Sequence, residues 1–194
     1  MPSKPAAYRR EGVRKKMLIS AEDYQRMGAA GIFDDKPRVE LIDGQIYAMS
    51  PFTPYHNGHV DKCAEFFTVN LFGKAKIRTQ GSVRIDDYTE PEPDIALLRF
   101  SENFYSDRQA TAKDVLLLIE VAVHTLETDR TAKLQKYAAS NIPEYWIVIP
   151  EKGIVEVYRK PKDGVYLEKN TYKKADEWVF ETFKLPVKGT DLLI

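Results

Sequence analysis

The sequence predicts an α/β protein with a central mixed β-sheet flanked by helices. A strand–helix–strand pattern runs from Asp114 to Ile149, and such units form right-handed crossovers between parallel strands. Asp43-Gly44 and Asp163-Gly164 each separate two short apolar runs, and such dipeptides predict antiparallel hairpins. Parallel and antiparallel pairs in one chain make the predicted sheet mixed.

The first half of the chain supplies a helix, a hairpin, a long helix and three short strands. Ser20 precedes an acid by three residues, which predicts a helix that ends near Gly28. Strands flank Asp43-Gly44 within residues 39–50. Residues 54–72 have helical spacing, with one apolar stripe formed by Val60, Cys63, Ala64, Phe67 and Leu71. We expect strands at 76–79, 82–85 and 94–99, and a polar loop with a short helix over 101–113.

The second half begins with an apolar run that predicts a buried strand over Asp114–Val123. A helix follows over Asp129–Ser140, and its inward positions are Leu134, Tyr137 and Ala138. Aromatic and β-branched residues predict a strand over 145–149. Turns at Lys152-Gly153 and Asp163-Gly164 lead into strands over 154–159 and 165–168.

Composition bounds the class of protein. The 194 residues predict one domain over 20–194, preceded by a basic arm over 1–19 that is either a solvated tail or a phosphate-contacting segment. The formal net charge is zero, so no global field steers the chain to nucleic acid or membrane. No apolar run is long enough to span a membrane, and no secretory signal is evident. With one cysteine, Cys63, we expect a cytoplasmic protein.

Two acids stand out because they lie on predicted core strands. Glu120 interrupts the apolar run 115–123, and Asp94 begins the run 94–99. A buried carboxylate needs a partner, and two of them on neighbouring strands favour a Mg²⁺ or Mn²⁺ site. An arginine partner for Glu120 and a turn role for Asp94 after Pro93 remain alternatives.

Phosphoryl transfer also requires a cation that stabilises developing charge. Position 122 is an alanine, so this cation must come from elsewhere, and Lys133 on the following helix is the best candidate. A solvent-facing role remains the alternative for Lys133 and for Glu40. Gln80 and His56 are candidate substrate contacts. His56 and His59 have a spacing that zinc can use, but no further His or Cys cluster supports zinc.

Several motifs occur together in a defined order. They are Val39-Glu40-Leu41-Ile42-Asp43-Gly44-Gln45-Ile46, Met49-Ser50-Pro51 with His56, Glu92-Pro93-Asp94-Ile95-Ala96, Leu118-Ile119-Glu120-Val121, residues 129–138 and residues 143–148. In this order they resemble a bacterial family of restriction-endonuclease-like proteins within the PD-(D/E)xK nuclease superfamily. The resemblance spans roughly residues 20–160.

The resemblance implies a restriction-endonuclease-like core and an assignment of site residues. It implies metal ligands at Asp94, Glu120 and the backbone carbonyl of Val121. It also implies that the catalytic lysine has moved from position 122 to Lys133, and that Glu40 is the acid on an earlier element. One departure is that this chain has Glu120-Val121-Ala122-Val123-His124-Thr125 where family members have Glu-Val-Leu-Ser-Pro, so Ser-Pro is lost and His124 is gained.

The resemblance therefore leads us to expect a Mg²⁺-dependent endonuclease that acts on DNA. A non-catalytic nucleic-acid-binding or regulatory module on the same fold is one alternative, and a hydrolase of a small phosphorylated metabolite is another. Because cutting both strands suits a two-fold assembly, we also expect a homodimer.

Overall fold

The computed structural model describes residues 16–194. The predicted basic arm therefore lies, up to residue 15, outside the described residues. The helices and strands are α1 (Ala21–Ala29), β1 (Val39–Ile42), β2 (Gln45–Ala48), α2 (Pro54–Leu71), β3 (Ala75–Thr79), β4 (Ile95–Arg99), β5 (Val115–Val121), α3 (126–139), β6 (Glu144–Ile149), β7 (Ile154–Lys162), β8 (Val165–Lys173), β9 (Glu177–Phe180), β10 (Leu185–Lys188) and α4 (Gly189–Leu192).

Local chemistry explains the start of the chain. The Ser20 side chain accepts a hydrogen bond from the Asp23 backbone N–H and caps α1. Asp43 and Gly44 have φ values of 51° and 72°, the left-handed conformations of a type I′ turn, so β1 and β2 form the predicted antiparallel hairpin. Thr53 caps α2, with Pro54 in the first turn.

Within residues 16–194, six strands form one mixed sheet in the order β3-β4-β5-β6-β7-β8. The β5–β6 pair is parallel, and every other neighbouring pair is antiparallel. The predicted α/β class with a mixed sheet and the crossover through α3 are therefore confirmed.

The two faces of the sheet carry separate apolar clusters. Leu117, Ile119 and Val121 of β5 face α2 and the β9–β10 hairpin, where Trp146, Phe67 and Phe180 pack together. Leu118 belongs to the other cluster, together with Tyr137 of α3. Because strand side chains alternate, Glu120 points to the same face as Leu118, toward α3.

One predicted strand is absent from the structure, and one observed hairpin was not predicted. Residues 82–85 form no strand, because their backbone N–H groups bond to Pro91, Ala110 and Thr89, which lie on separate segments and offer no continuous ladder. The β9–β10 hairpin was not predicted. Its signal is the buried alternation of Trp178 and Phe180 between exposed residues in β9.

Candidate active site

A cavity of about 530 Å³ opens beside the end of β5. The β1–β2 hairpin, the N-terminal turn of α2, the start of β4 and the first turns of α3 surround it. Asp94, Glu120, Lys133, Glu40 and His56 all line this cavity. Residues that are up to 93 positions apart in sequence thus share one site.

Glu120 is held at the floor of the cavity by two donors from α3. Its Oε1 atom accepts hydrogen bonds from the Lys133 Nζ at 3.0 Å and the Tyr137 hydroxyl at 3.1 Å. Both donors contact Oε1, and no hydrogen-bond donor among residues 16–194 contacts the Glu120 Oε2 atom. Glu120 therefore keeps one oxygen for an additional ligand.

Lys133 is buried, with 6% of its surface exposed, and is not a solvated helix lysine. Its Nζ lies 3.4 Å from Glu40 and 4.0 Å from Asp129 as well as 3.0 Å from Glu120. The segment Asp129–Lys133 has π-helical turns inside α3. Such insertions change which side chains face inward, and they frequently occur at functional sites.

Asp94 is fixed at the start of β4 by two contacts. Its Oδ2 atom accepts a hydrogen bond from the Val121 backbone N–H at 2.8 Å, and the His56 Nε2 lies 3.1 Å from its carboxylate. The ring of Phe52 stacks on His56. Because Val121 follows Glu120 directly, the contact ties the two acidic positions together across the β4–β5 pair.

Glu40 lies in β1 and is buried rather than solvent-facing, with 8% of its surface exposed. Its Oε2 atom accepts a hydrogen bond from the Glu92 backbone N–H and lies next to Lys133. The hairpin therefore contributes one carboxylate to the ammonium that Glu120 also binds.

Charge is unbalanced inside the site. Four buried acids line the cavity, namely Glu40, Asp94, Glu120 and Asp129, and Lys133 is the one cationic Lys or Arg among its lining residues in the described chain. Burial raises the pKa of Glu120 well above its usual range and that of Asp129 to about 6, while Lys133 opposes both shifts. Burial alone would lower the pKa of Lys133, but the surrounding carboxylates outweigh it and raise that pKa.

The donor set fits a hard divalent cation. Excess buried carboxylate charge favours a counter-ion, and carboxylate and carbonyl oxygens are the ligands that Mg²⁺ and Mn²⁺ prefer. Within residues 16–194, no three His, Cys, Asp or Glu side chains form a metal-binding group by themselves. A cation here would therefore depend on two carboxylates with carbonyl or water oxygens, as Mg²⁺ often does. The Val121 carbonyl already accepts one bond, from the Val123 N–H, and has a second lone pair.

Two residues of the site were not singled out from the sequence. Asp129 is fully buried, and its Oδ2 atom accepts a hydrogen bond from the Thr125 hydroxyl at 2.6 Å. Tyr137 was expected only as an inward apolar position, yet its hydroxyl binds Glu120. The available signal was spacing, since Asp129 and Tyr137 each lie one turn from Lys133.

The remaining candidates have other surroundings. Gln80 is not among the cavity-lining residues, and its backbone N–H donates to the Asp94 carbonyl. The His59 ring contacts the Tyr55 carbonyl and accepts a hydrogen bond from the Ile194 N–H. Its nitrogens therefore do not form a zinc-binding pair with His56. His124 lines the cavity, and its side chain is exposed.

Comparisons with known proteins identify a family and a shared fold. A sequence model of the family Uma2, described as "Putative restriction endonuclease", matches residues 21–188. A crystal structure described as a putative nuclease belonging to DUF820, from Anabaena variabilis ATCC 29413, superposes with a TM-score of 0.63 at 19% identity. The match covers 80% of this chain and 89% of the other, and at that identity it shows the shared fold. No curated protein matches significantly. No helix within residues 16–194 has the length and apolar character of a membrane span.

Proposed function

We propose that this chain, which belongs to the Uma2 family of putative restriction endonucleases, is a metal-dependent nuclease that hydrolyses phosphodiester bonds in DNA. The observation that carries the proposal is the buried ion-pair cluster. Lys133 meets Glu120 and Glu40 at the wall of a cavity that also holds Asp94. Carboxylates that would hold a metal ion, with a cation that stabilises developing negative charge, support metal-assisted phosphodiester hydrolysis.

In this proposal Asp94, Glu120 and the carbonyl of Val121 would hold Mg²⁺ or Mn²⁺. When bound, the ion supplies a water of lowered pKa and neutralises charge on the phosphate. Hydrolysis would add the elements of one water across a P–O bond: a hydroxyl bonds to phosphorus, and the oxygen that leaves the phosphorus receives the proton.

The chain's own residues position the reacting groups. Tyr137 orients Glu120, the Lys133 ammonium lies beside it, and His56 and the Val121 N–H orient Asp94. The Lys133 ammonium stabilises the negative charge that develops on the phosphate oxygens or orients the attacking water. Glu40 keeps the ammonium inside the cavity. His56, which lines the cavity, would also contact the substrate.

DNA is the proposed substrate because the family is described as putative restriction endonucleases, and the phosphodiester backbone offers negative charge that Lys133 would meet. A metabolite hydrolase would cleave a small phosphorylated compound and show no salt-sensitive DNA affinity. A regulatory module would bind the cation without turnover.

The proposal also includes assembly as a homodimer and location in the cytoplasm. Light scattering after size-exclusion chromatography measures the assembly.

The test is a cleavage assay on plasmid and single-stranded DNA with Mg²⁺ or Mn²⁺, and with EDTA as the metal-free arm. Asp94→Asn and Glu120→Gln should each lower turnover by about a hundredfold or more, because each removes a carboxylate that would hold the metal ion. Glu65→Gln is the matched control, since Glu65 is an exposed acid on α2. Cleavage that persists in EDTA or in Glu120→Gln would contradict the proposal.

A further inference from the structure

Asp129 carries a buried carboxylate oxygen without a donor. Its Oδ2 atom is bonded to the Thr125 hydroxyl, but no hydrogen-bond donor of the described chain reaches its Oδ1 atom. A carboxylate oxygen removed from water without a donor is costly. A donor that reached this oxygen in another state of the site would remove that cost.

The nearest available donor is Lys133. Its Nζ lies 4.0 Å from the Asp129 Oδ1 atom, beyond hydrogen-bond distance, while it is bonded to Glu120 at 3.0 Å. The Lys133 side chain has a flexible four-carbon stem, and Asp129 and Lys133 lie in the same π-helical segment. A small rotation of the stem is enough to exchange one carboxylate for the other.

We propose that Asp129 is a second anchor for the Lys133 ammonium, which moves from Glu120 to the Asp129 Oδ1 atom when a divalent cation binds Glu120. This inference rests on the proposed function for the identity of the cation. Glu120 cannot serve both positive charges equally well, because the ammonium and the cation repel each other at a shared carboxylate. Asp129 is thus a positioning residue that keeps Lys133 in the cavity, beside Glu40, while the cation is bound.

Calorimetric titration with Mn²⁺ at pH 7.5 tests this exchange without DNA. The four proteins are the wild type, Asp129→Asn, Lys133→Met and the double variant. Asp129→Asn should raise the Mn²⁺ dissociation constant about tenfold in the wild-type background, the effect of losing one charged hydrogen bond. In the Lys133→Met background it should change the constant less than about twofold, because no ammonium remains to be relocated.

Two outcomes of this titration overturn the exchange. An equal loss of affinity in both backgrounds means that Asp129 attracts the cation directly. An unchanged affinity in Asp129→Asn means that Lys133 needs no second anchor. Asp129→Ser, which keeps a small polar group beside Thr125, replaces Asp129→Asn if the latter fails to fold.

A metal-free measurement separates this inference from the proposed nuclease activity. In Glu120→Gln, Lys133 loses its closest charge partner, so Glu40 and Asp129 remain as its carboxylate partners and its dependence on Asp129 increases. Asp129→Asn should then lower the melting temperature by about 3 °C more in the Glu120→Gln background than in the wild type. Additive effects overturn the second anchor. If the wild type binds no Mn²⁺, the proposed function loses its metal, and the unfolding experiment alone decides the role of Asp129.

Discussion

Replacing Lys133 by methionine removes the ammonium and keeps an unbranched side chain that is shorter by one atom. The change leaves Glu120 and Glu40 without their shared cation in a buried site. Tyr137 still donates to Glu120, so we expect the fold to persist with lower stability. The variant therefore isolates the charge of Lys133 from its packing.

The expected loss of turnover follows from Coulomb's law. A unit charge about 4 Å from developing charge contributes about 4 kcal/mol at an effective dielectric constant of about 20. Only the part that grows between the bound substrate and the transition state lowers the barrier. If about two thirds of this interaction energy develops between the bound substrate and the transition state, Lys133→Met loses about 2.7 kcal/mol of transition-state stabilisation, or about a hundredfold in turnover.

The assay is single-turnover cleavage of the DNA that the wild type cuts, at saturating Mg²⁺ or Mn²⁺. Lys136→Met is the control, because Lys136 lies on the same helix but pairs with Asp43 and Asp86 outside the Lys133 cluster. Far-UV circular dichroism and thermal unfolding check that both variants are folded. Wild-type turnover in folded Lys133→Met would refute the catalytic role of the ammonium.

Three further predictions concern the stability of the fold. Partners that include Arg130 outweigh the effect of burial and lower the pKa of Glu156 to about 2. Ionised Glu156 should therefore stabilise the fold by about 2 kcal/mol above pH 4.5, and this contribution should be lost as the pH falls toward 2. Urea titrations of wild type and Glu156→Gln across this range measure the difference. Phe67→Ala should cost about 3–5 kcal/mol in urea denaturation, because the ring is fully buried. Gly44→Ala should cost more than about 1 kcal/mol by the same method, because φ is 72° and a Cβ would lie 2.7 Å from the Leu18 Cβ.

Each of these predictions has a matched control. Phe72 is 85% exposed, so Phe72→Ala should change stability by less than about 0.5 kcal/mol. Gly153 also has a positive φ, but a Cβ there would meet no atom within 4 Å, so Gly153→Ala should cost less than Gly44→Ala. Equal losses within either pair would contradict the packing argument. A wild-type advantage over Glu156→Gln that is constant from pH 7 to pH 2 would contradict the pKa argument.

The sequence was sufficient for the elements that depend on near neighbours. The Asp43-Gly44 turn, the Ser20 cap and the α3 crossover depend on local conformation and short spacing, and each prediction is confirmed. Residues 82–85 have an apolar alternation, yet their hydrogen bonds go to separate segments. A pattern within one strand cannot reveal whether a neighbouring strand is available to pair with it.

The acids and the lysine of the site could be named from sequence pattern and family resemblance. Their arrangement could not, because the partner of a buried charge depends on strand order and on the rotation of a helix. The β4–β5 pairing brings Asp94 to the Val121 N–H, and the π-helical turns of α3 direct Lys133 toward Glu120. The free oxygen of Asp129 is likewise a property of the packed structure. Local chemistry thus determined which side chains carry charge, and tertiary packing decided which of those charges meet.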